Sequence, residues 1–233
     1  MAFIKRNVNG ARRSPFAAVL VIAAGLALTG GGYAATTAAV ASNTPVQAYS
    51  AAQVEEGNKL FLANCASCHG KNAEGTAAAP SLIGVGAASV DFQVGTGRMP
   101  GQASGPQLEK KPVQFTEEQT AALAAYVASL APGPAVPSEA LTAANGDTTR
   151  GGELFRINCA MCHNAVGAGG ALTQGKFAPA LKGVSEQHIY EAMVTGPQNM
   201  PVFNDANLTP KDKKDIISFL KFVENNPSAG GYE

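Results

Sequence analysis

Tryptophan is absent from the 233 residues, aromatic residues make up 6% and charged residues only 15%, against roughly 25% charged in an ordinary globular protein. So little charge excludes a highly charged disordered chain. Lys+Arg and Asp+Glu number 17 each, which excludes a basic nucleic-acid binder. Long apolar runs are equally scarce. Only one stretch could span a bilayer, so the chain is not a polytopic membrane protein. With few large side chains and no Trp, hydrophobic burial alone would leave a small domain marginal. Something else is expected to fill the interior.

The overall neutrality hides an asymmetry. Lys5, Arg6, Arg12 and Arg13 precede any acid, and without them 13 basic residues face 17 acidic ones, a body of net −4. No charge occurs from Ser14 to Val54, and Phe16 to Leu28 is the densest apolar part. A basic start, such a run and small residues after it read as an export signal, with Ala39-Val40-Ala41 as a cleavage site. The alternative is a retained anchor, since Pro15 to about Ala35 is roughly the 20 residues a bilayer requires. Either way, basic residues before the run keep the N-terminus inside and send the remainder to the outer face of the plasma membrane.

The chain repeats itself. Gly57-Asn-Lys-Leu-Phe-Leu-Ala-Asn-Cys-Ala-Ser-Cys-His69 lies over Gly151-Gly-Glu-Leu-Phe-Arg-Ile-Asn-Cys-Ala-Met-Cys-His163 at a constant offset. Pro80-Ser-Leu-Ile-Gly-Val85 matches Pro179-Ala-Leu-Lys-Gly-Val184, and Thr96-Gly-Arg-Met-Pro100 echoes Thr195-Gly and Met200-Pro201. Tyr126-Val127 corresponds to Phe219-Leu220. Two such copies mean two similar small domains in tandem. We expect a signal or anchor over 1–45, a first domain over 46–131, a Pro-rich linker over 132–146, a second domain over 147–227 and a tail over 228–233. Each repeat reads as helical. Ala51 to Asn64 has a helical rhythm, Thr116 and Thr209 are N-caps, and Pro210 suits a first helical turn. Gly- and Pro-rich loops are expected between these helices, and no alternating run reads as a strand.

All four cysteines fall in two copies of Cys-x-x-Cys-His, the c-type haem attachment motif. Cys65 and Cys68, and Cys159 and Cys162, would each add to the two vinyl groups of a haem. His69 and His163 would then reach the irons. A zinc site usually has its second Cys pair within about 20 residues, and a thioredoxin-like motif expects a strand–helix–strand setting. A plain disulfide leaves the following His unexplained twice. Two covalently held haem c groups would also supply the missing apolar bulk. Met opposite His is the usual pairing in electron-transfer cytochromes c. Met99 and Met200 each precede Pro in a loop after Thr-Gly and are the expected sixth ligands. Met161 is held inside the second attachment loop, and Met193 is expected in the core of a helix over Gln187 to Val194. His188 is expected to be a surface or hydrogen-bonded residue. Arg98 is a candidate for pairing with a haem propionate, or else a solvated Arg. Pro80 and Pro179 are placed to offer backbone carbonyls to the Nδ1–H groups of the two histidines. Two filled coordination spheres favour electron transfer over catalysis at the iron.

These features resemble the dihaem cytochrome c subunit of the actinobacterial menaquinol–cytochrome c reductase, the cytochrome bcc form of respiratory complex III. The likeness runs over about residues 50–232. Besides the haem motifs it rests on Phe92-Gln-Val-Gly-Thr-Gly-Arg-Met-Pro100, Thr195-Gly-Pro-Gln-Asn-Met-Pro201, the Lys213-Lys-Asp-Ile-Ile217 helix and Gly230-Gly-Tyr232. It implies an all-α fold of two tandem class I cytochrome c domains. It also implies a redox role as a subunit of a proton-translocating quinol–cytochrome-c reductase. Electrons would pass from a cytochrome b subunit through a Rieske iron–sulfur subunit to the first haem, the second, and an associated aa-type cytochrome c oxidase. Members of that family usually continue past Gly-Gly-Tyr into a C-terminal membrane helix, whereas this chain stops at Glu233. The competing readings are an independent dihaem carrier that shuttles between complexes, and a dihaem peroxidase or dehydrogenase with an iron lacking Met.

Overall fold

The computed structural model describes residues 15–43, 48–102, 105 and 107–227, with the side chains of 16–34 in its first helix. The N-terminal basic residues and the 228–233 tail lie outside them. Helix α1 spans Pro15–Asn43 and belongs to a unit of its own, Met1–Val46. Within it Phe16–Ala34 runs for 19 residues at a mean hydropathy of 1.8. It is long and apolar enough to cross a membrane, which fits a membrane anchor.

The remaining unit holds both repeats. The first contains α2 (Ala51–Asn64), α3 (Ala66–His69), α4 (Gly86–Gly95) and α5 (Glu117–Leu130). The second contains α6 (Glu139–Thr142), α7 (Thr148–Asn158), α8 (Ala160–His163), α9 (Glu186–Thr195) and α10 (Pro210–Asn225). Two short strands, β1 (Gly170–Ala171) and β2 (Phe177–Ala178), pair antiparallel in a loop where no strand was expected. At two residues each, they are too short to show an alternating pattern.

One crossing builds each repeat: α2 on α5, and α7 on α10. The glycine that recurs eight residues before the first cysteine makes that crossing possible. A Cβ on Gly57 would lie 1.9 Å from the Ala122 carbonyl oxygen, and one on Gly151 would lie 1.9 Å from that of Asp215. No side chain fits there. Above the crossing, Phe61 meets Tyr126 at 5.1 Å and Phe155 meets Phe219 at 5.6 Å, tilted by 44° and 43°. The repeat therefore extends to the last helix, with its register shifted by one residue relative to the haem motifs. Each such aromatic pair adds about 0.5–1.5 kcal/mol beyond its buried area.

The helix starts follow from capping chemistry. The Ser50, Thr116 and Thr209 side chains accept from the backbone N–H of Gln53, Gln119 and Asp212, whose side chains reach back in turn. Asp147 caps α7 by accepting from Thr149 and Arg150. Helix α4 is the element that the expected loops concealed. It opens at Val85 with no side-chain cap, and Ala87, Ala88, Val90, Phe92 and Val94 are all buried. Burial on several faces leaves no one-sided apolar stripe to read. The segment expected as a linker over 132–146 is irregular as far as Ser138 and then contains α6; it runs against α4, where the Ala88 N–H donates to the Pro134 carbonyl at 3.0 Å.

Candidate functional site

The two attachment loops share one backbone geometry. Cys65 and Cys159 end α2 and α7 with φ/ψ of −122°/−30° and −121°/−34°. Each donates its N–H to the Phe four residues back at 2.8 Å. The preceding asparagines, Asn64 and Asn158, donate from Nδ2 to the carbonyls of Leu60 and Leu154 at 2.8 and 2.9 Å. A single helical turn, α3 or α8, then carries the second cysteine and the histidine. The loop closes the same way in both copies: Gly75 donates to the His69 carbonyl and Gly169 to that of His163.

Each histidine is held by its Nδ1. His69 Nδ1 lies 2.8 Å from the Pro80 carbonyl oxygen and His163 Nδ1 lies 2.9 Å from that of Pro179. A carbonyl can only accept, so Nδ1 carries the proton and Nε2 is the nitrogen left with a free lone pair. His69 is buried. Burial pushes His163 below its ordinary value, against the Pro179 hydrogen bond that raises it. The neutral ring is the form that ligates metals. Burial, with the neighbouring thiol second, pushes Cys65 up to about 11 and Cys159 up to about 12. A thioredoxin-like nucleophile needs the opposite shift. None of the four sulfurs is in a disulfide.

In the second repeat these groups open on a cavity of about 460 Å³. Cys159, Cys162, His163 and Met200 all line it, with an apolar wall that includes Phe155, Ile189, Met193, Phe203 and Leu220. A donor set of imidazole nitrogen, thioether sulfur and two thiols around one apolar cavity fits a c-type haem. Met193 is also a core residue, 2% exposed, as expected. Met161 is 91% exposed and points away from any such role. In the first repeat, Met99 and Cys65 both pack on the cluster formed by Phe61, Val90, Leu123 and Val127.

Sequence reasoning left Arg98 without an assignment to either centre. Its neighbour Met99 belongs to the first repeat, yet Arg98 itself lies in the wall of the second cavity. It is not a freely solvated Arg. The guanidinium lies 4.9 Å from the Phe92 ring centroid, Nη1 donates to Thr96 Oγ1 at 2.7 Å, and burial lowers its pKa. The first repeat contributes further wall that the sequence concealed. Gln107 donates to the Phe177 carbonyl and accepts from its N–H, both at 2.8 Å. Gln198 likewise accepts from the Leu108 N–H at 3.0 Å and donates to its carbonyl at 3.1 Å. Two side-chain amides thus tie the Gln107–Leu108 loop across the second cavity. Lone glutamines give no sequence signal for this, since their partners are 70 and 90 residues away. His188 is half-buried in the same wall and meets Phe92 edge-on at 6.0 Å.

Known proteins resemble this chain over both repeats. A cytochrome c family model matches residues 54–131, and a model described as cytochrome c oxidase, cbb3-type, subunit III matches residues 146–220. The cytochrome bc1 complex cytochrome c subunit of Corynebacterium efficiens is 48% identical over 197 residues, covering 78% of this chain and 67% of the relative. The protein of the same name from Mycobacterium leprae is 45% identical over 224 residues, covering 91% and 76%. The one from Mycobacterium tuberculosis H37Rv is 46% identical over 206 residues, covering 84% and 74%. Paired attachment loops on two cytochrome c domains, with likeness over most of both chains, make this chain a member of the family of cytochrome bc1 complex cytochrome c subunits, electron-transfer proteins that carry haem c.

Proposed function

We propose that the chain carries two haems and relays electrons between them within a respiratory menaquinol–cytochrome c reductase. Cys65, Cys68, His69 and Met99 hold the first haem; Cys159, Cys162, His163 and Met200 hold the second. The observation that carries this reading is the recurrence of one backbone geometry at both motifs, with each histidine pinned through Nδ1 so that Nε2 is left for iron. When bound, each haem supplies a one-electron ferric–ferrous couple. The protein's own part is to orient the imidazoles and to exclude water with the apolar wall around Phe155 and Leu220. Arg98 places a half-buried positive charge at the second cavity, where it pairs with a propionate. That charge arrives from the first repeat.

In the assembled complex, electrons enter the first haem from a Rieske iron–sulfur subunit working with cytochrome b. They leave the second for an aa-type cytochrome oxidase in a supercomplex. The basic residues before α1 keep the N-terminus inside, so both haem domains work on the outer face. Two anchored haems then replace a diffusing carrier.

The test starts with the intact mass of the purified chain, which should show two haems added. Met99→His and Met200→His should each remove half of the long-wavelength charge-transfer band of Met-ligated ferric haem. In complex purified with mild detergent, quinol should still reduce the first haem of Met200→His and stop there. A mass without haem, or ready binding of carbon monoxide at both irons, overturns the reading. Isolation without cytochrome b and Rieske subunits favours a free shuttle instead.

A further inference from the structure

Helices α4 and α9 bring the two repeats together, and between them lies a cluster of ionisable groups, one of which, His188, also borders the second cavity. Asp91 comes from α4, and His188 and Glu191 come from α9. The ligand atoms of all three lie within 4.8 Å of one another. His188 Nε2 is 3.8 Å from Asp91 Oδ2 and 4.0 Å from Glu191 Oε2. One turn along α4, Gly95 leaves the room this ring needs, since a Cβ there would lie 3.1 Å from Nε2.

The independent sign of a ligand is Glu191. Its side chain is 0% exposed, and its Oε2 has no hydrogen-bond partner among the described residues. A buried carboxylate oxygen without a partner costs several kcal/mol, roughly, unless something neutralises it. One oxygen of each carboxylate is held by a single amide. Gln187 Nε2 donates to Asp91 Oδ2 at 2.8 Å and to Glu191 Oε1 at 3.1 Å. This amide orients both carboxylates in the way groups behind metal ligands do. Burial first, then the charge of Asp91 and a proton shared with it, push Glu191 up to about 9, against the Gln187 hydrogen bond that lowers it; a cation would take the place of that shared proton. Burial also lowers His188, with Lys110 and Arg98 acting in the same direction against the pull of Asp91. That favours the neutral imidazole, the form that binds metals.

We propose that Asp91, His188 and Glu191 form a divalent-cation site, selective for zinc, that pins the two cytochrome c domains together. One imidazole with two carboxylates suits Zn²⁺ better than Ca²⁺, which takes six to eight oxygens. Zinc–ligand bonds of about 2.0–2.1 Å put tetrahedral ligands about 3.3–3.4 Å apart, so the two distances from His188 Nε2 close by roughly half an ångström. Asp91 and His188 are 18% and 23% exposed, which leaves a water path to the fourth position. Two carboxylates and one Zn²⁺ sum to zero charge, which removes the penalty on Glu191. The proposal does not depend on what the haems do.

The test uses the full chain with haem attached, so that the motif cysteines and histidines are already engaged. The protein is stripped with EDTA and titrated with zinc chloride by calorimetry, with metal counted by elemental analysis. One zinc per chain should bind at micromolar concentration or below and raise the unfolding temperature. Zinc-edge absorption should show nitrogen and oxygen neighbours without sulfur. His188→Gln and Glu191→Gln should each weaken binding by about 100-fold or more, and Glu191→Gln, which lies outside the cavity wall, should do so with the haem spectrum unchanged. If Glu191→Gln does not fold, Asp91→Asn, on the more open side, takes its place. Absence of stoichiometric zinc, sulfur in the zinc shell, or equal affinity in the variants overturns the proposal.

Discussion

The first and second repeats use the same crossing, the same attachment turn and the same aromatic pair, but their last helices bury opposite kinds of residue. Helix α5 buries Thr120, Ala122, Leu123, Ala124, Ala125, Tyr126 and Val127. Helix α10 buries Lys213, Asp215 and Ser218 beside Ile216, Ile217 and Leu220. The polar groups of α10 receive the incoming chain. Asp215 Oδ1 accepts from the Asp147 N–H at 2.8 Å, Ser218 Oγ accepts from the Gly146 N–H at 2.7 Å, and Lys214 Nζ donates to the Ala140 carbonyl at 3.1 Å. In the first repeat a helix of mostly small residues makes the same crossing. What the copies share is what the attachment loop demands; what differs is how each is joined to its neighbours.

The shared part is the most sensitive. Gly57→Ala and Gly151→Ala each put a methyl group 1.9 Å from a backbone oxygen, and neither helix can yield by moving a side chain. Each should cost about 3 kcal/mol or more, with similar loss in thermal unfolding of the haem-loaded chain. A tolerant Gly151→Ala beside an intolerant Gly57→Ala would break the equivalence of the two crossings.

The difference can be probed through Lys213. Its side chain is fully buried, with Asp205 Oδ1 at 2.6 Å and the Leu208 carbonyl at 2.8 Å, while Asp205 is 68% exposed. Asp205→Ala strands a buried ammonium and should cost about 3 kcal/mol. Lys213→Met leaves a hydrated carboxylate and an apolar side chain of similar length, and should cost about 1 kcal/mol. Chemical denaturation of both variants decides the order. Equal costs would mean that Lys213 is not paying for its burial through that pair.

A smaller contrast lies just after the histidines. Gly70 has φ 82° and ψ 155°, and Asn164 has φ 64° and ψ 168°. That region is essentially reserved for glycine and costs other residues about 1–3 kcal/mol. Asn164→Gly should therefore stabilise the second repeat, by about 1 kcal/mol after loss of the 2.7 Å bond that Asn164 Oδ1 accepts from Ala165. Thermal unfolding tests the sign, and a loss of stability would mean that the side-chain bond outweighs the strain.

These contrasts also mark what can be seen without coordinates. The repeat, the caps at Thr116 and Thr209, the Pro80 and Pro179 carbonyls and the core position of Met193 are legible because each rests on local spacing or on the matched copy. Helix α4 is not, because it is buried on several faces and lacks a cap. Nor are the places of Arg98, Gln107 and His188, because their partners belong to the other repeat. The Asp91–His188–Glu191 cluster combines both difficulties: one member lies on the helix without a signal and two on a helix 95 or more residues later.

The smallest expected effect separates the capping boxes of α5 and α10. Thr116→Ala and Thr209→Ala should each cost about 1 kcal/mol. Their partners differ chemically, Gln119 in the first box and Asp212 in the second. Thr209 donates to Asp212 Oδ2 from its hydroxyl at 2.7 Å and from its N–H at 3.1 Å. The hydroxyl bond first, then the backbone bond and the nearby Arg150 and Lys211, hold the carboxyl below its ordinary value of 3.8, against a smaller upward push from burial. A carboxyl lowered on folding contributes stability that is complete above that ordinary value and is lost as pH falls through the folded one. The difference in unfolding temperature between the parent and Asp212→Asn should therefore be present at neutral pH and shrink on acidification below about pH 4. Gln119→Ala should show a difference that does not change over the same range, because an amide does not titrate. A constant offset for Asp212→Asn at every pH would show that the box works through shape and hydrogen bonding alone, and that the two repeats are capped in the same way after all.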